Sequence, residues 1–190
     1  MSAGKVLIVC GNSEVAGSME SALVKEGYHP VNCAHSANEA RRQFLLVQPD
    51  LIIVSTPLPD EQGIDFVFDA HEKTTAGIIV MARPEQLAHI QDALESTGAM
   101  ILPKPINRLT LIQSARFALS VRNSLFQLKS ERDTLKRRMG ERKTIEQAKW
   151  LLVDKLKMTE AEAFRYIQKK AMDLRLKQIE IAEEILREYQ

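Results

Sequence analysis

The sequence predicts an α/β doubly wound domain, then a coiled-coil helix, then an all-α three-helix bundle. Three observations carry this. Between residues 5 and 119, short unbroken apolar runs alternate with helical patterns, as parallel strands buried on both faces require. Residues 106–139 contain neither proline nor glycine, and their apolar residues recur at steps of three and four. The last fifty residues hold apolar stripes at helical spacing, with Lys and Arg on the faces turned away. The expected units are 1–120 for the α/β domain, 107–140 for the dimerising helix and 139–190 for the bundle.

Val6, Leu7, Ile8 and Val9 form a buried strand by length and β-branching. A helix over 14–26 is stopped by Gly27. Residues 30–33 make a short strand, and a helix over 38–47 ends before Pro49. A second unbroken apolar strand covers 51–54, followed by a helix over 64–71 and a strand over 78–81. A helix over 84–96 and a strand over 100–102 close the domain. Five such units fit one doubly wound sheet.

The net charge of +1 hides an asymmetry. Residues 1–106 hold 7 Lys and Arg against 13 Asp and Glu, a net of −6. Residues 129–177 hold 15 against 8, a net of +7, so the second half favours a polyanionic partner. No apolar run approaches the roughly 20 residues that cross a bilayer, and the expected location is the cytoplasm. Cys10 and Cys33 lack metal or redox spacing and read as buried free thiols. The four histidines are scattered, no Gly-rich phosphate loop follows a strand, and no nucleophile–base pair is visible. Neither an enzyme, a metal site nor a cofactor is expected.

In the connector, Ala118, Val121, Leu125, Leu128 and Leu135 form an a/d seam, with Arg132 as a polar guest. Glu131 and Lys136 then fall at g and e, where they would pair across a parallel homodimer. The same stripe could instead pack on the chain's own domains. Gly140 is expected to mark a bend before the bundle.

In the bundle, Ile145, Ala148, Leu152 and Leu156 form one stripe. Thr159 and Glu162 have the spacing of a capping box at the start of the next helix. Ala163, Phe164, Ile167, Ala171 and Leu174 are expected to face inward, as are Ile179, Ala182, Ile185 and Leu186 in the third helix. At 100° per residue, Arg165 and Lys169 lie opposite that stripe, with Tyr166 and Lys170 on another edge. Arg175 and Lys177 follow in the next turn, and Lys149 lies outside the first stripe. Cations for phosphates beside planar groups for splayed bases suit the single-stranded loops of an RNA.

The runs E-R-K-T-I-E-Q-A-K-W-L-L, M-T-E-A-E-A-F-R-Y-I-Q-K-K-A-M-D and I-E-I-A-E-E-I-L resemble the ANTAR domain over roughly 139–189. The resemblance implies that RNA hairpins in nascent leader transcripts are bound, so that a competing terminator cannot form. Lys149, Arg165 and Lys169 fall in the matching stretches. Trp150 stands where the family usually has a small residue; it either stacks on a base or packs internally, the latter being preferred.

The first domain resembles the receiver domain of response regulators, a flavodoxin-like fold, through K-V-L-I-V, P-D-L-I-I-V-S-T-P-L-P-D-E-Q-G and L-P-K-P-I. The resemblance implies a phosphoacceptor aspartate after the third strand and two acids after the first, which hold Mg²⁺. Here those positions fall on Ser55, and on Cys10 and Gly11. The hydroxyl position falls on Ala82, and only Lys104 is kept, followed by Pro105, which the resemblance implies is cis. A pseudo-receiver without aspartyl phosphorylation is expected, with Lys104 paired structurally to Asp50 or Asp60. Control by a regulatory protein, a small ligand or expression level stays open. The leading function is a dimeric RNA-binding antiterminator; the alternatives are a DNA-binding response regulator and a protein-interaction adaptor.

Overall fold

A computed structural model describes residues 4–189, which divide into two compact units at Gln127 and Leu128. The first unit is a five-stranded parallel sheet of order β2-β1-β3-β4-β5. Its strands are β1 (Val6–Cys10), β2 (Val31–Ala34), β3 (Leu51–Ser55), β4 (Gly77–Ala82) and β5 (Met100–Pro103). Four helices follow the first four strands: α1 (Ser13–Lys25), α2 (Ala37–Val47), α3 (Ile64–Lys73) and α4 (Leu87–Leu94). The helix expected over 84–96 keeps α-geometry only in α4, with a 3₁₀ turn at each end.

Alternation along each strand builds two separate cores. Val6, Ile8, Leu51, Ile53, Ile79 and Met81 pack beneath α1 and the start of the fifth helix. Leu7, Val9, Ile52, Val54, Ile78 and Val80 pack against α2, α3 and α4. Both faces being covered explains why the central strands are apolar up to Ser55, which ends β3. Cys10 is buried, but Cys33 on the edge strand β2 is only half-buried, unlike the expectation. Burial and the nearby Glu20 push its thiol up to about 11.

The side chain of Asn12 accepts from the backbone N–H of Glu14 and Val15 at 2.9 and 3.1 Å, capping α1. Asp60 accepts from Ala37 and Asn38 at 2.9 and 3.0 Å at the start of α2, which holds its carboxyl below the usual range. These caps fix the loops at the carboxyl ends of the strands.

The fifth helix, α5, runs unbroken from Arg108 to Leu156. Gly140 lies inside it, so the helix does not end at the glycine, and an added Cβ there meets nothing within 4 Å. Gly140→Ala is therefore expected to raise stability by about 1 kcal/mol, read as a higher Tm; a lower Tm would show that the glycine is needed by a close neighbour. Ala118 is buried in the first unit's core, where its carbonyl oxygen would lie 3.0 Å from a Cβ built on Gly77. That close approach of helix to strand places Ala118 in the domain core, so the exposed stripe of the expected seam begins at Val121.

Candidate nucleic-acid interface

The second unit closes with α6 (Glu160–Leu174) and α7 (Gln178–Tyr189). Ala148 and Leu152 of α5, Ala163, Ile167 and Ala171 of α6, and Ile181, Ala182 and Ile185 of α7 form its buried core. Small residues at three of the α5 and α6 positions nearest the axis let the helices approach. The capping box is present: Glu162 N–H donates to the Thr159 hydroxyl at 3.3 Å, and Thr159 N–H donates to the Glu162 carboxylate at 2.8 Å.

Arg165 and Lys169 are exposed on the side of α6 opposite Ile167, as expected, with Gln168 and Met172 beside them. Arg175 and Lys177 are exposed in the turn between α6 and α7, and Tyr166 is partly exposed on the flank. Among the described residues none of these four cations is in an ion pair. Lys170 differs: it bridges to Glu184 on α7 at 3.3 Å.

Lys149 is placed otherwise than its position on a single helix suggests. It is 7% exposed, and its ammonium bonds Glu146 at 3.0 Å and Glu160 at 2.8 Å. It also lies 6.0 Å from the centre of the Phe164 ring. α6 covers it, so it ties two helices together. Phe164, Leu156 and Leu174, expected inside, are partly exposed. Phe164 turns to the α5 side of α6, where the Lys149 cation covers one part of its ring. Trp150, expected to pack, is 71% exposed; Ala148 and Leu152 already fill the inner face of this turn, and no inward position remains for an indole.

Lys149 holds the Glu160 carboxyl below the usual range, and the Thr159 N–H does the same for Glu162. A carboxyl lowered in the folded state stabilises above its unfolded pKa, and that contribution is lost as pH falls through the folded value. The Tm is expected to drop on acidification from about pH 5 to 3. Glu160→Gln should make that drop shallower in thermal melts. An identical profile would show that the pair is inert.

Sequence reasoning missed one cation. Lys157, in the turn before α6, has φ 52°, and Arg175, which caps α6, has φ 55°. The left-handed region favours glycine, yet both turns carry a cation there. No glycine marks either turn, so the only signal was the end of each apolar stripe.

Val121, Leu125, Leu128, Leu135 and Met139 of α5 are all exposed on the chain. They lie at the seam spacing and find no cover among the described residues.

At the carboxyl ends of the strands, Cys10, Ser55 and Ala82 are buried at the ends of β1, β3 and β4. Lys104 follows β5, and its ammonium donates to the Thr56 carbonyl oxygen rather than to Asp50 or Asp60. Asp50 is taken by Arg122 at 2.9 Å and by the Lys5 N–H at 2.9 Å, and Asp60 by α2. The Lys104–Pro105 peptide is cis. A Cβ built on Gly11 would lie 2.7 Å from the Pro59 ring, so an acid does not fit there unless Pro59 moves. A thiol, a glycine and a hydroxyl do not suit Mg²⁺, which demands hard oxygen ligands.

Residues 6–116 match the response regulator receiver domain, and residues 133–186 match the ANTAR domain. The transcriptional regulatory protein PdtaR of Mycobacterium tuberculosis is 33% identical over 182 residues, 96% of this chain and 89% of that protein. A two-component response regulator from Clostridium difficile has a TM-score of 0.54 at 24% identity, over 61% of this chain and 95% of its own. A CheY-like receiver protein from Methanospirillum hungatei has a TM-score of 0.57 at 23% identity, over 63% and 96%. Both structural likenesses bear on the fold alone.

Proposed function

Since the chain belongs to the response regulators that carry an ANTAR domain, a regulatory rather than a catalytic family, we propose that it binds RNA hairpins in nascent leader transcripts and acts as a transcription antiterminator. The observation that carries this is the division of labour among cations. Lys149 and Lys170 are spent on helix-to-helix ion pairs, while Arg165, Lys169, Arg175 and Lys177 stay exposed and unpaired about α6. Unpaired cations of this kind release counterions on meeting phosphates. Trp150 and Tyr166 add exposed aromatic faces on which an unstacked base can lie.

The protein acts in the cytoplasm as a homodimer through the exposed stripe of α5, with one output unit per hairpin. The first unit is a pseudo-receiver that is not phosphorylated at an aspartate, because Ser55 stands at the acceptor position and the metal-holding acids are absent. Incubation with acetyl phosphate and Mg²⁺ should leave the intact mass unchanged; stoichiometric gain of a phosphoryl group would overturn that part.

The deciding experiment offers a two-hairpin leader RNA, the same RNA shuffled, and duplex DNA. Tight binding to the first alone is expected. A preference for DNA would replace RNA by an operator, and equal weak binding to all three would favour an adaptor. Crosslinking in cells followed by sequencing of the bound RNA would name the target.

A further inference from the structure

The crevice at the carboxyl ends of the strands is a cavity of about 840 Å³, a size typical of small-molecule sites. It lies at the point between β1 and β3 where strand order reverses, which is where open α/β sheets receive ligands. Its lining has two chemistries. The strand ends supply the Ser55 hydroxyl, Arg83 and Lys104, while α1, the β5–α5 connection and the first turn of α5 supply Met19, Ile106 and Leu111.

The sign of its charge is inverted relative to the acid-bearing arrangement that the receiver resemblance implies. Arg83, Lys104 and Arg108 face it against one carboxylate, Glu85. Arg108 is partnered by Glu26 at 3.3 Å. Among the described residues, Arg83 and Lys104 are in no ion pair. Lys104 gives one proton to the Thr56 carbonyl and keeps two more to donate. Its ammonium is held below the usual lysine range, first by burial and then by the Arg83 charge. A partly desolvated cation without a carboxylate is costly, and an incoming anion offsets that cost.

We propose that this crevice binds a small organic anion, its carboxylate or phosphate on Lys104 and Arg83 and its apolar body against Met19, Ile106 and Leu111. Ser55 donates a further hydrogen bond to the headgroup. The first turn of α5 forms part of the wall, so the ligand touches the helix that continues into the second unit. The site does not depend on RNA being the partner.

The test is calorimetric titration of the full chain with phenyl phosphate, phenylacetate, inorganic phosphate and benzyl alcohol, with amide shifts at Gly11 and Ser55 placing the site. At least one aromatic anion is expected to bind one per chain, roughly ten- to a hundredfold tighter than inorganic phosphate through its buried ring. The tighter of the two anions identifies the headgroup. Benzyl alcohol should bind at least tenfold more weakly than that anion. Lys104→Met and Arg83→Gln should each weaken the anion at least tenfold; Arg83 is exposed, so its variant decides alone should Lys104→Met lose its fold. Absence of saturation by both aromatic anions, inorganic phosphate or benzyl alcohol binding as tightly as they do, or wild-type affinity in the folded variants would each overturn the proposal.

Discussion

Replacing Leu125 and Leu128 by Asp is expected to turn a dimer into a monomer in light scattering. Both leucines are more than half exposed on the chain, at 62% and 61%. An exposed seam of Val121, Leu125, Leu128, Leu135 and Met139 on one helix is stable in water only at the cost of hydrated apolar surface. Full burial of a leucine side chain stabilises by about 1.5–3 kcal/mol. With about 60% of each side chain left to bury, two variants in each of two chains therefore remove about 4–7 kcal/mol from the dimer. At 1.4 kcal/mol per decade, dissociation is favoured by more than about 10²-fold. Four carboxylates facing one another add repulsion. Leu→Asp costs only about half a kcal/mol of helix propensity per site, so the monomer should keep most of its helical circular dichroism. A wild-type chain that is already monomeric, or a variant that stays dimeric, would end the idea that this stripe is the seam. Arg132, in a pair with Asp133 at 2.8 Å, then belongs to a solvated helix face and not to an interface.

The sheet was legible because its signal is strong and local. The runs over 6–9, 51–54 and 78–81 are apolar at every position, as a strand buried on both faces requires. The receiver resemblance, anchored on those runs, assigns Cys10, Ser55, Ala82 and Lys104 to the strand ends, and the crevice there is lined by Cys10, Ser55 and Lys104. Environments made by a second helix were not legible. Lys149 looks solvated on the α5 wheel, and it is α6, bringing Glu160 and Phe164, that buries it. Phe164 looks internal by its period, but Ala163 and Ile167 already occupy the inner line of α6. Gly140 reads as a bend because glycine weakens helices, yet about 1 kcal/mol is too little to end a helix of 49 residues, which continues through it. The left-handed turns at Lys157 and Arg175 carry no glycine to announce them.

Arg165→Ala with Lys169→Ala is expected to cost the chain its hairpin binding while leaving its fold intact. Neither side chain is buried or ion-paired, and alanine has the highest helix propensity, so α6 should melt no earlier. Each phosphate contact removed lowers the slope of log affinity against log salt by about 0.7–0.9, so the pair should flatten it by about 1.4–1.8. At moderate salt the loss should amount to roughly one to two orders of magnitude in affinity. A purely structural role for these residues would instead lower the melting temperature and leave the salt slope unchanged. Arg175→Gly sharpens the distinction, because there the two effects have opposite signs. Glycine relieves a left-handed residue at φ 55°, which should raise stability by about 1 kcal/mol, while the lost cation weakens RNA binding. Lys170→Ala is the converse: it breaks the bridge to Glu184 and should lower the melting temperature while RNA affinity changes little. If Arg175→Gly bound RNA as the wild type does, the cation in that turn would have no part in recognition, and the interface would shrink to the outward face of α6.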